Sequence, residues 1–269
     1  MEIANYQFLL RAEETIFLPE YKGSAFHGGF GRALHAITPT WSNFFLAPKS
    51  DSGHALPLPY VLLPPLDEKT TYETGENIFL NLTLFGKVNQ HHALAQAAVE
   101  YLGNRLGLGY RHGKYSIQEI TTSKPPKTED KLPDTKQIKL QLTTRLRLKH
   151  NNRLCRQAPS FDQLIARLVG RMKSLEYAYG GETGSLLSEL EPDQIHKIQC
   201  YDLTNWDEWD RFSGRQKIWM KFGGLLGDIN YQGALQPFMP LLRLGEWTHI
   251  GGKTSFGLGK YRLIEETTE

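Results

Sequence analysis

The feature that most constrains the fold is an order of strand and helix patterns that occurs twice along the chain. In the run Ile78–Phe85, apolar and polar residues alternate, which predicts a strand because strand side chains point to opposite faces in turn. In Gly23–Ile37, apolar residues recur at spacings of three and four, which predicts a helix. The predicted elements of the first half are strands at Ile3–Phe17, Tyr60–Leu63, Ile78–Phe85 and Tyr115–Ile120 and helices at Gly23–Ile37 and His91–Leu106.

The same order returns after a stretch without apolar periodicity. Residues 123–135 contain prolines and alternating charges, so we interpret them as a linker. The predicted elements of the second half are strands at Gln137–Lys149, Ile195–Tyr201, Gln216–Phe222 and Lys260–Ile264 and helices at Phe161–Tyr179 and Tyr231–Leu244. Strand–helix–strand–strand–helix–strand is the ferredoxin-like arrangement. We therefore predict an α+β fold of two tandem ferredoxin-like (RRM-like, βαββαβ) domains, at residues 1–122 and 136–269, with a C-terminal glycine-rich loop.

Composition places few limits on function. The 269 residues are 40% hydrophobic and 22% charged, which suffices for two packed cores. A net charge of +2 argues against a protein that binds nucleic acid over its whole surface, so the distribution of charge matters more. Cys155 and Cys200 lie far apart without a CxxC motif, and we expect reduced thiols. No signal-peptide pattern or long apolar stretch is present, so we expect a soluble cytoplasmic protein.

Basic residues concentrate on one face of each of two predicted strands. In the strand Gln137–Lys149, leucines such as Leu140 and Leu142 fall on one face and the cations on the other. Two cationic strand faces can line a phosphate backbone, and a tryptophan among them can stack on an unpaired base. The alternative is that both faces are merely solvated. The residues predicted to contact RNA here are Arg145, Arg147, Lys149, Arg215, Lys217 and Trp219.

The segment before the last predicted strand is rich in glycine and lysine. Glycine lets backbone amides approach an anion closely, and this favours a binding loop. The segment is not a phosphate-binding Walker A loop, since Trp247 stands where the first glycine of that motif would be. A plain glycine-rich turn is the alternative. The predicted RNA-binding residues of the loop are Gly251, Gly252, Lys253, Gly257, Gly259 and Lys260.

The first predicted helix contains Gly28, Gly29 and Gly31. Each glycine inside a helix costs roughly 0.5–1 kcal/mol relative to alanine. Their accumulation indicates that another backbone or an anion approaches this helix closely. His27 and His35 are roughly 80° apart around a 3.6-residue helix and can face one edge. The alternative is that each histidine has a structural or surface role.

Several catalytic motifs are absent from the sequence. It contains no HExxH, GxSxG or DxD-type motif and no paired carboxylate cluster. We therefore predict no metal and no cofactor, and any phosphoryl chemistry should be of a kind that needs no metal.

Two segments resemble a known family. Residues 18–34, from Leu18 to Leu34, resemble the first-helix signature of the repeat-associated RAMP superfamily. Residues 223–259, from Gly223 through the glycine-rich loop, resemble the tail of its CRISPR precursor-RNA endoribonucleases. The resemblance implies that tandem ferredoxin-like domains bind a CRISPR repeat in precursor crRNA and cut at its 3′ side. The ribose 2′-hydroxyl would be the nucleophile, leaving a 2′,3′-cyclic phosphate and a 5′-hydroxyl. Other CRISPR effector subunits or a homodimer are further partners to consider.

The resemblance also implies a catalytic histidine in or just after the first helix, assisted by a lysine, arginine or tyrosine. His35 best matches that place, and His27 is the alternative. Arg32, Lys22 and Tyr21 are the candidate assisting residues, and a cation among them can stabilise charge in the transition state. Two other functions stay open: a non-catalytic RNA-binding subunit of a CRISPR effector complex, and a metabolic or regulatory protein whose glycine loop binds a small anion.

Overall fold

The computed structural model describes residues 1–126, 135–150, 153–181, 195–213 and 218–265. The chain divides into two compact units. The first comprises Met1–Pro126, Met172–Thr183 and Ser255–Gly257, and the second comprises Lys127–Arg171, Gly184–Thr254 and Leu258–Glu269. Each unit therefore combines separate stretches of the chain. Among the helices of the described ranges, none has the length and apolar character needed to cross a membrane.

The first unit contains a four-stranded antiparallel sheet with helices packed against it. Its elements are β1 (Ile3–Ala12), β2 (Ile16–Phe17), α1 (Gly23–Ile37), α2 (Pro39–Leu46), β3 (Tyr60–Leu63), β4 (Thr71–Tyr72), β5 (Asn77–Phe85), α3 (His92–Tyr101) and β6 (Tyr115–Ser123). The strand order is β3-β5-β1-β6, and short strands β2 and β4 pair separately. The first and third long strands therefore lie side by side in the centre, as in a ferredoxin-like fold.

Sequence periodicity explains the core of this unit. Along β1, Tyr6, Phe8 and Leu10 alternate with less buried residues, so one face of the strand is apolar. Along α1, Phe26 and Phe30 are four residues apart and point to the same side. Burying one large apolar side chain contributes about 1.5–3 kcal/mol. These faces leave the opposite side of α1 turned away from the core.

The second unit repeats the arrangement. Its elements are β7 (Gln137–Leu146), β8 (Lys149–His150), β9 (Arg153–Leu154), α4 (Phe161–Tyr179), β10 (Gln199–Ser213), β11 (Ile218–Gln232), α5 (Met239–Thr248) and β12 (Tyr261–Glu265). The strand order β10-β11-β7-β12 matches that of the first sheet, and all pairs are antiparallel. The predicted α+β class with two ferredoxin-like sheets is confirmed. The predicted domain boundaries stay a prediction, and residues 127–134 of the predicted linker lie outside the described residues.

Several predicted element boundaries were wrong. The strands predicted at 195–201 and 216–222 are the much longer β10 and β11, and the helix predicted from Tyr231 begins only at Met239. The glycines inside β11 led us to end the predicted strand too early. Close packing at these positions requires glycine. A Cβ at Gly223 would clash with the Trp206 indole, and a Cβ at Gly224 would lie 2.9 Å from the Leu146 carbonyl oxygen.

Candidate active site and nucleic-acid interface

The side of α1 that faces away from the core carries the predicted catalytic residues His35 and Arg32. We call Gly28, Gly31, Arg32 and His35 the glycine face, since the four residues lie within an arc of roughly 100° around the helix. Both Arg32 and His35 are exposed. Gly28 and Gly31 carry no side chain and are partly exposed on the same face.

Packing explains only some of the glycines in α1. A Cβ at Gly29 would lie 2.6 Å from a methyl group of Leu102, so the core excludes a side chain there. A Cβ at Gly28 would meet nothing closer than the Arg32 guanidinium at 3.8 Å. At Gly31 the nearest atom, a Leu46 methyl group, is at an ordinary 3.4 Å. Gly28 therefore lowers helix propensity, and no neighbour among the described residues requires a glycine there.

The imidazole of His35 is held by α2. Its Nδ1 lies 3.3 Å from the hydroxyl oxygen of Ser42. That hydroxyl donates its single proton to the carbonyl oxygen of Pro39, at 2.7 Å. Ser42 can therefore only accept from His35, which fixes the proton of the neutral ring on Nδ1. Nε2 is then left with a lone pair, as a proton acceptor requires.

His27, the alternative catalytic residue, is half-buried and held by two aromatic side chains. Its ring stacks on Phe256 with centroids 3.7 Å apart and an interplanar angle of 11°. Its Nε2 lies 3.2 Å from the hydroxyl of Tyr60. Burial, together with the nearby Tyr179, raises the pKa of the Tyr60 hydroxyl, which therefore keeps its proton at neutral pH. His27 is thus more constrained than His35.

Tyr21 and Lys22 point into the first unit. The Tyr21 hydroxyl donates to the carbonyl oxygen of Phe256 at 2.6 Å. Lys22 has no exposed side-chain surface, and its ammonium donates to the Asp67 carbonyl oxygen at 2.6 Å and pairs with the Asp67 carboxylate at 3.1 Å. Partial burial of Asp67 opposes its ionisation, but hydrogen bonds from Tyr72 and Lys22 lower the pKa of the carboxyl. The structure brings neither Tyr21 nor Lys22 to the glycine face.

The glycine-rich loop has an exposed part and a buried part. Gly257 and Gly259 are buried and have φ angles of 84° and 72°. A Cβ at Gly259 would overlap the Ile250 carbonyl oxygen, and one at Gly257 would lie 2.9 Å from the Leu62 carbonyl oxygen. These glycines therefore serve the packing of the chain.

The exposed part of the loop is short. Gly252 and Lys253 are exposed, and Lys253 has a φ of 65°, in the left-handed region that costs a non-glycine residue energy. Gly251 also has a positive φ, 88°, and a Cβ there would lie 2.6 Å from the Arg147 carbonyl oxygen. The Lys260 ammonium donates to the Glu246 carbonyl oxygen at 2.6 Å, and burial lowers its pKa, an effect that the Glu246 carboxylate opposes.

The predicted cationic face of β7 is only partly available. Arg145 lies 4.2 Å from the ring centroid of Trp209 and forms an ion pair with Asp207. Arg147 lies 4.4 Å from the ring centroid of Phe222 and donates to the Gly223 carbonyl oxygen. Burial lowers the pKa of the Arg147 guanidinium.

Lys149 is exposed beyond the end of β7. Of the second predicted face, Arg215 and Lys217 lie outside the described residues. Trp219 lies in β11 opposite Phe212.

Sequence reasoning missed the residues that hold the histidines. Tyr60 and Phe256 contact His27 from distant parts of the chain, and Ser42 contacts His35 from the next helix. Of these three residues, only Phe256 lies in a segment that the sequence analysis predicted to be functional, the glycine-rich loop. Within the described ranges, no three His, Cys, Asp or Glu side chains are grouped as metal ligands would be.

Solved structures share this fold over nearly the whole chain. A product complex of the Thermus thermophilus Cas6 protein TTHB231 is 15% identical, with a TM-score of 0.63, and the match covers 98% of this chain and 99% of that chain. A Cas6 (TTHA0078) product complex is 16% identical, with a TM-score of 0.58, and covers 98% of this chain and 100% of that one. A RAMP protein binding different RNA substrates is 14% identical, with a TM-score of 0.55, covering 97% and 100%. At such identities the likeness establishes the fold alone.

Family models match both halves of the chain. Residues 1–145 match a model described as an N-terminal domain, AF_1859_N. Residues 140–261 match the model of the CRISPR-associated endoribonuclease Cas6. No curated protein sequence matches significantly. The first model spans more than half of the 269 residues and includes the glycine face, and the chain accordingly belongs to the family that the AF_1859_N model describes, with a second half that is similar to the CRISPR-associated endoribonuclease Cas6.

Proposed function

We propose that this protein is an endoribonuclease that binds CRISPR repeat RNA and cuts precursor crRNA without a metal ion. One observation carries the proposal: on the glycine face, a partly exposed Gly28 that no described neighbour requires is followed by an arginine and by a histidine whose tautomer is fixed. An RNA backbone can approach such a surface closely, and the flanking side chains are a proton acceptor and a cation.

In the proposed reaction, Nε2 of His35 removes the proton of the ribose 2′-hydroxyl. The 2′-oxygen attacks the adjacent phosphorus, and the bond from phosphorus to the 5′-oxygen of the next nucleotide breaks. Arg32, one helical turn from His35, stabilises the negative charge that develops on the phosphoryl oxygens. The imidazolium or water then protonates the departing 5′-oxygen, so the products end in a 2′,3′-cyclic phosphate and a 5′-hydroxyl.

Other exposed groups supply binding. Lys149 and Lys253 are exposed in the second unit, and their ammonium groups can contact phosphates. Gly252 is exposed beside Lys253, although its backbone N–H donates to the Arg147 carbonyl oxygen at 2.8 Å. Related structures support repeat RNA as the partner, since two Cas6 proteins of the same fold are described as product complexes. Another is described as part of a Cas6-RT-Cas1–Cas2 complex, which supports further CRISPR subunits as partners of this chain.

The decisive experiment is a single-turnover cleavage assay with repeat RNA in excess EDTA. We expect cleavage to persist and the product to carry a 2′,3′-cyclic phosphate, detectable by mass spectrometry. A substrate with a 2′-deoxynucleotide before the cut should bind with unchanged affinity and stay intact. Activity that disappears in EDTA and returns with Mg²⁺ would contradict the mechanism. Tight binding of repeat RNA without any cleavage would identify the non-catalytic RNA-binding role instead.

A further inference from the structure

A cavity in the first unit is lined in part by α2, the helix whose Ser42 contacts His35. Its volume is about 710 Å³, within the range of roughly 300–1,000 Å³ that is typical of small-molecule sites. The C-terminal end of α2, the turn at residues 49–51 and the last turn of α4 form its walls. The proposed reaction uses none of these residues.

The walls combine aromatic rings with cations. Tyr177 is 76% exposed, an unusual position for a large ring, and Phe44 forms part of the same lining. Lys49 and Lys87 also line the cavity and are exposed. Within the described part of the chain, neither ammonium group forms a hydrogen bond or ion pair. Rings for stacking and ammonium groups for phosphate are the two elements that a single nucleotide requires.

Two further polar groups line the cavity and bear on what enters it. Asn43 presents a side-chain amide, which can donate to and accept from the edge of a base. Asp51 presents a carboxylate, which repels phosphate but accepts a hydrogen bond from an exocyclic amino group. A base with such an amino group, adenine, cytosine or guanine, therefore fits this lining better than uracil.

Helix α2 contacts both the glycine face and the cavity. Ser42 holds the His35 ring, and the next two residues of the same helix, Asn43 and Phe44, line the cavity. His35 and the cavity therefore contact the same two-turn helix, α2, from different sides, which places the cavity near the proposed cut.

We infer that this cavity holds one unstacked nucleotide of the repeat RNA close to the cut, with its base against Tyr177 and Phe44 and a phosphate at Lys49 and Lys87. The inference rests on the proposed function, because it takes the bound RNA as the source of the nucleotide. The cavity would thereby fix which phosphate reaches His35.

The test pairs a protein variant with a modified substrate. Tyr177→Ala should raise the Kd of repeat RNA about five-fold or more, as loss of one base–aromatic stack does. A series of RNAs, each with one abasic nucleotide near the cut, should include a position where wild type loses affinity by a similar factor. At that position Tyr177→Ala should cause no further loss. Lys87→Ala should flatten the dependence of log K on log salt by about 0.7.

Controls separate this site from other effects. Tyr110, 86% exposed elsewhere in the first unit, provides the matched variant Tyr110→Ala, which should bind like wild type. The inference would be overturned if the Kd of Tyr177→Ala were unchanged. It would also be overturned if the affinity losses caused by Tyr177→Ala and by an abasic nucleotide were additive at every position. Tight binding of free adenosine 5′-monophosphate, abolished by Tyr177→Ala without any effect on RNA affinity, would overturn the RNA assignment in favour of a free nucleotide. Failure of the proposed function itself is distinguishable, since wild type would then not bind repeat RNA.

Discussion

At the scale of single residues, the proposed chemistry depends on His35, because Ser42 leaves its Nε2 as a proton acceptor. Loss of a general acid–base group typically costs about 10²–10⁴-fold in rate. We expect His35→Ala to slow single-turnover cleavage by at least about 10²-fold, while the affinity for repeat RNA changes only a few-fold. His196→Ala is the control, since this histidine is exposed in the second unit and should affect neither quantity.

His27→Ala distinguishes the two candidate histidines. His27 stacks on Phe256, so its removal should disturb local packing and reduce the rate less than His35→Ala does. If His27→Ala alone abolished cleavage, the catalytic role would belong to His27. If neither variant slowed an active enzyme, the histidine mechanism would be excluded.

Gly28 gives a second residue-scale prediction, in which stability and function change in opposite directions. A Cβ there has space, so Gly28→Ala should raise the free energy of unfolding by about 0.5–1 kcal/mol. The same methyl group would stand on the glycine face and should weaken RNA binding or slow cleavage by about five-fold or more, roughly 1 kcal/mol. Urea denaturation and single-turnover assays measure the two effects.

Gly170 is the matched control for this prediction. It lies exposed inside α4, and a Cβ there would also meet no atom within 4 Å. Gly170→Ala should therefore stabilise the protein by a similar amount with no change in RNA binding or rate. Equal effects of both variants on RNA would show that the helix backbone at Gly28 is not a contact surface.

At the scale of elements, we expect different residues of the glycine-rich loop to serve folding and RNA binding. Gly259→Val should lower the free energy of unfolding by more than about 3 kcal/mol, because the side chain would overlap Ile250 and require a left-handed backbone. Gly252 is exposed, and a Cβ there would make only an ordinary van der Waals contact with the Arg147 carbonyl oxygen, at 3.5 Å. Gly252→Val should leave stability within about 0.5 kcal/mol of wild type and weaken RNA binding, as a filter-binding assay would measure. Unchanged affinity would remove this loop from the RNA interface.

The sequence predicted those elements whose burial follows a regular period. β5 and β7 alternate clearly because one face of each packs on a core, and α1 shows its apolar stripe for the same reason. α2 was missed because Pro39 suggested a break, although proline is favoured in the first turn of a helix. β10 was cut short because polar residues dominate the sequence of its second part, and these residue types are depleted in strands.

The site residues could be predicted from the sequence where they are neighbours on one helix, but not where they contact distant segments of the chain. His35 and Arg32 could be grouped from helical spacing alone. The burial of Lys22 against Asp67 and the stacking of Arg145 on Trp209 are contacts between distant segments, which a single sequence does not reveal. Basic residues that look alike in sequence therefore divide into exposed cations such as Lys149 and cations already engaged by the protein.

At the scale of the whole molecule, the first unit is discontinuous in sequence. Its core includes Tyr179, which is buried and packs its ring edge-on against Phe44, and whose carbonyl group fills the space beside Gly86. We expect a fragment of residues 1–126 to lack a cooperative unfolding transition in urea, whereas the complete chain should show one. Tyr179→Ala in the complete chain should lower the free energy of unfolding by about 3–5 kcal/mol, the usual cost of removing a large buried ring. Cooperative unfolding of the fragment would show that residues 1–126 suffice.

The three-part composition of the first unit also sets the order in which the protein can become active during translation. Residues 255–257 are made roughly ten seconds after residue 126 at elongation rates of roughly 5–20 residues per second. Until then, His27 has no Phe256 ring to stack on and the Tyr21 hydroxyl has no Phe256 carbonyl to bind. A polypeptide that terminates early in the second half therefore lacks the Phe256 contacts of the first helix. If the proposed function is right, only the nearly completed chain has the complete first unit that carries the proposed catalytic residues.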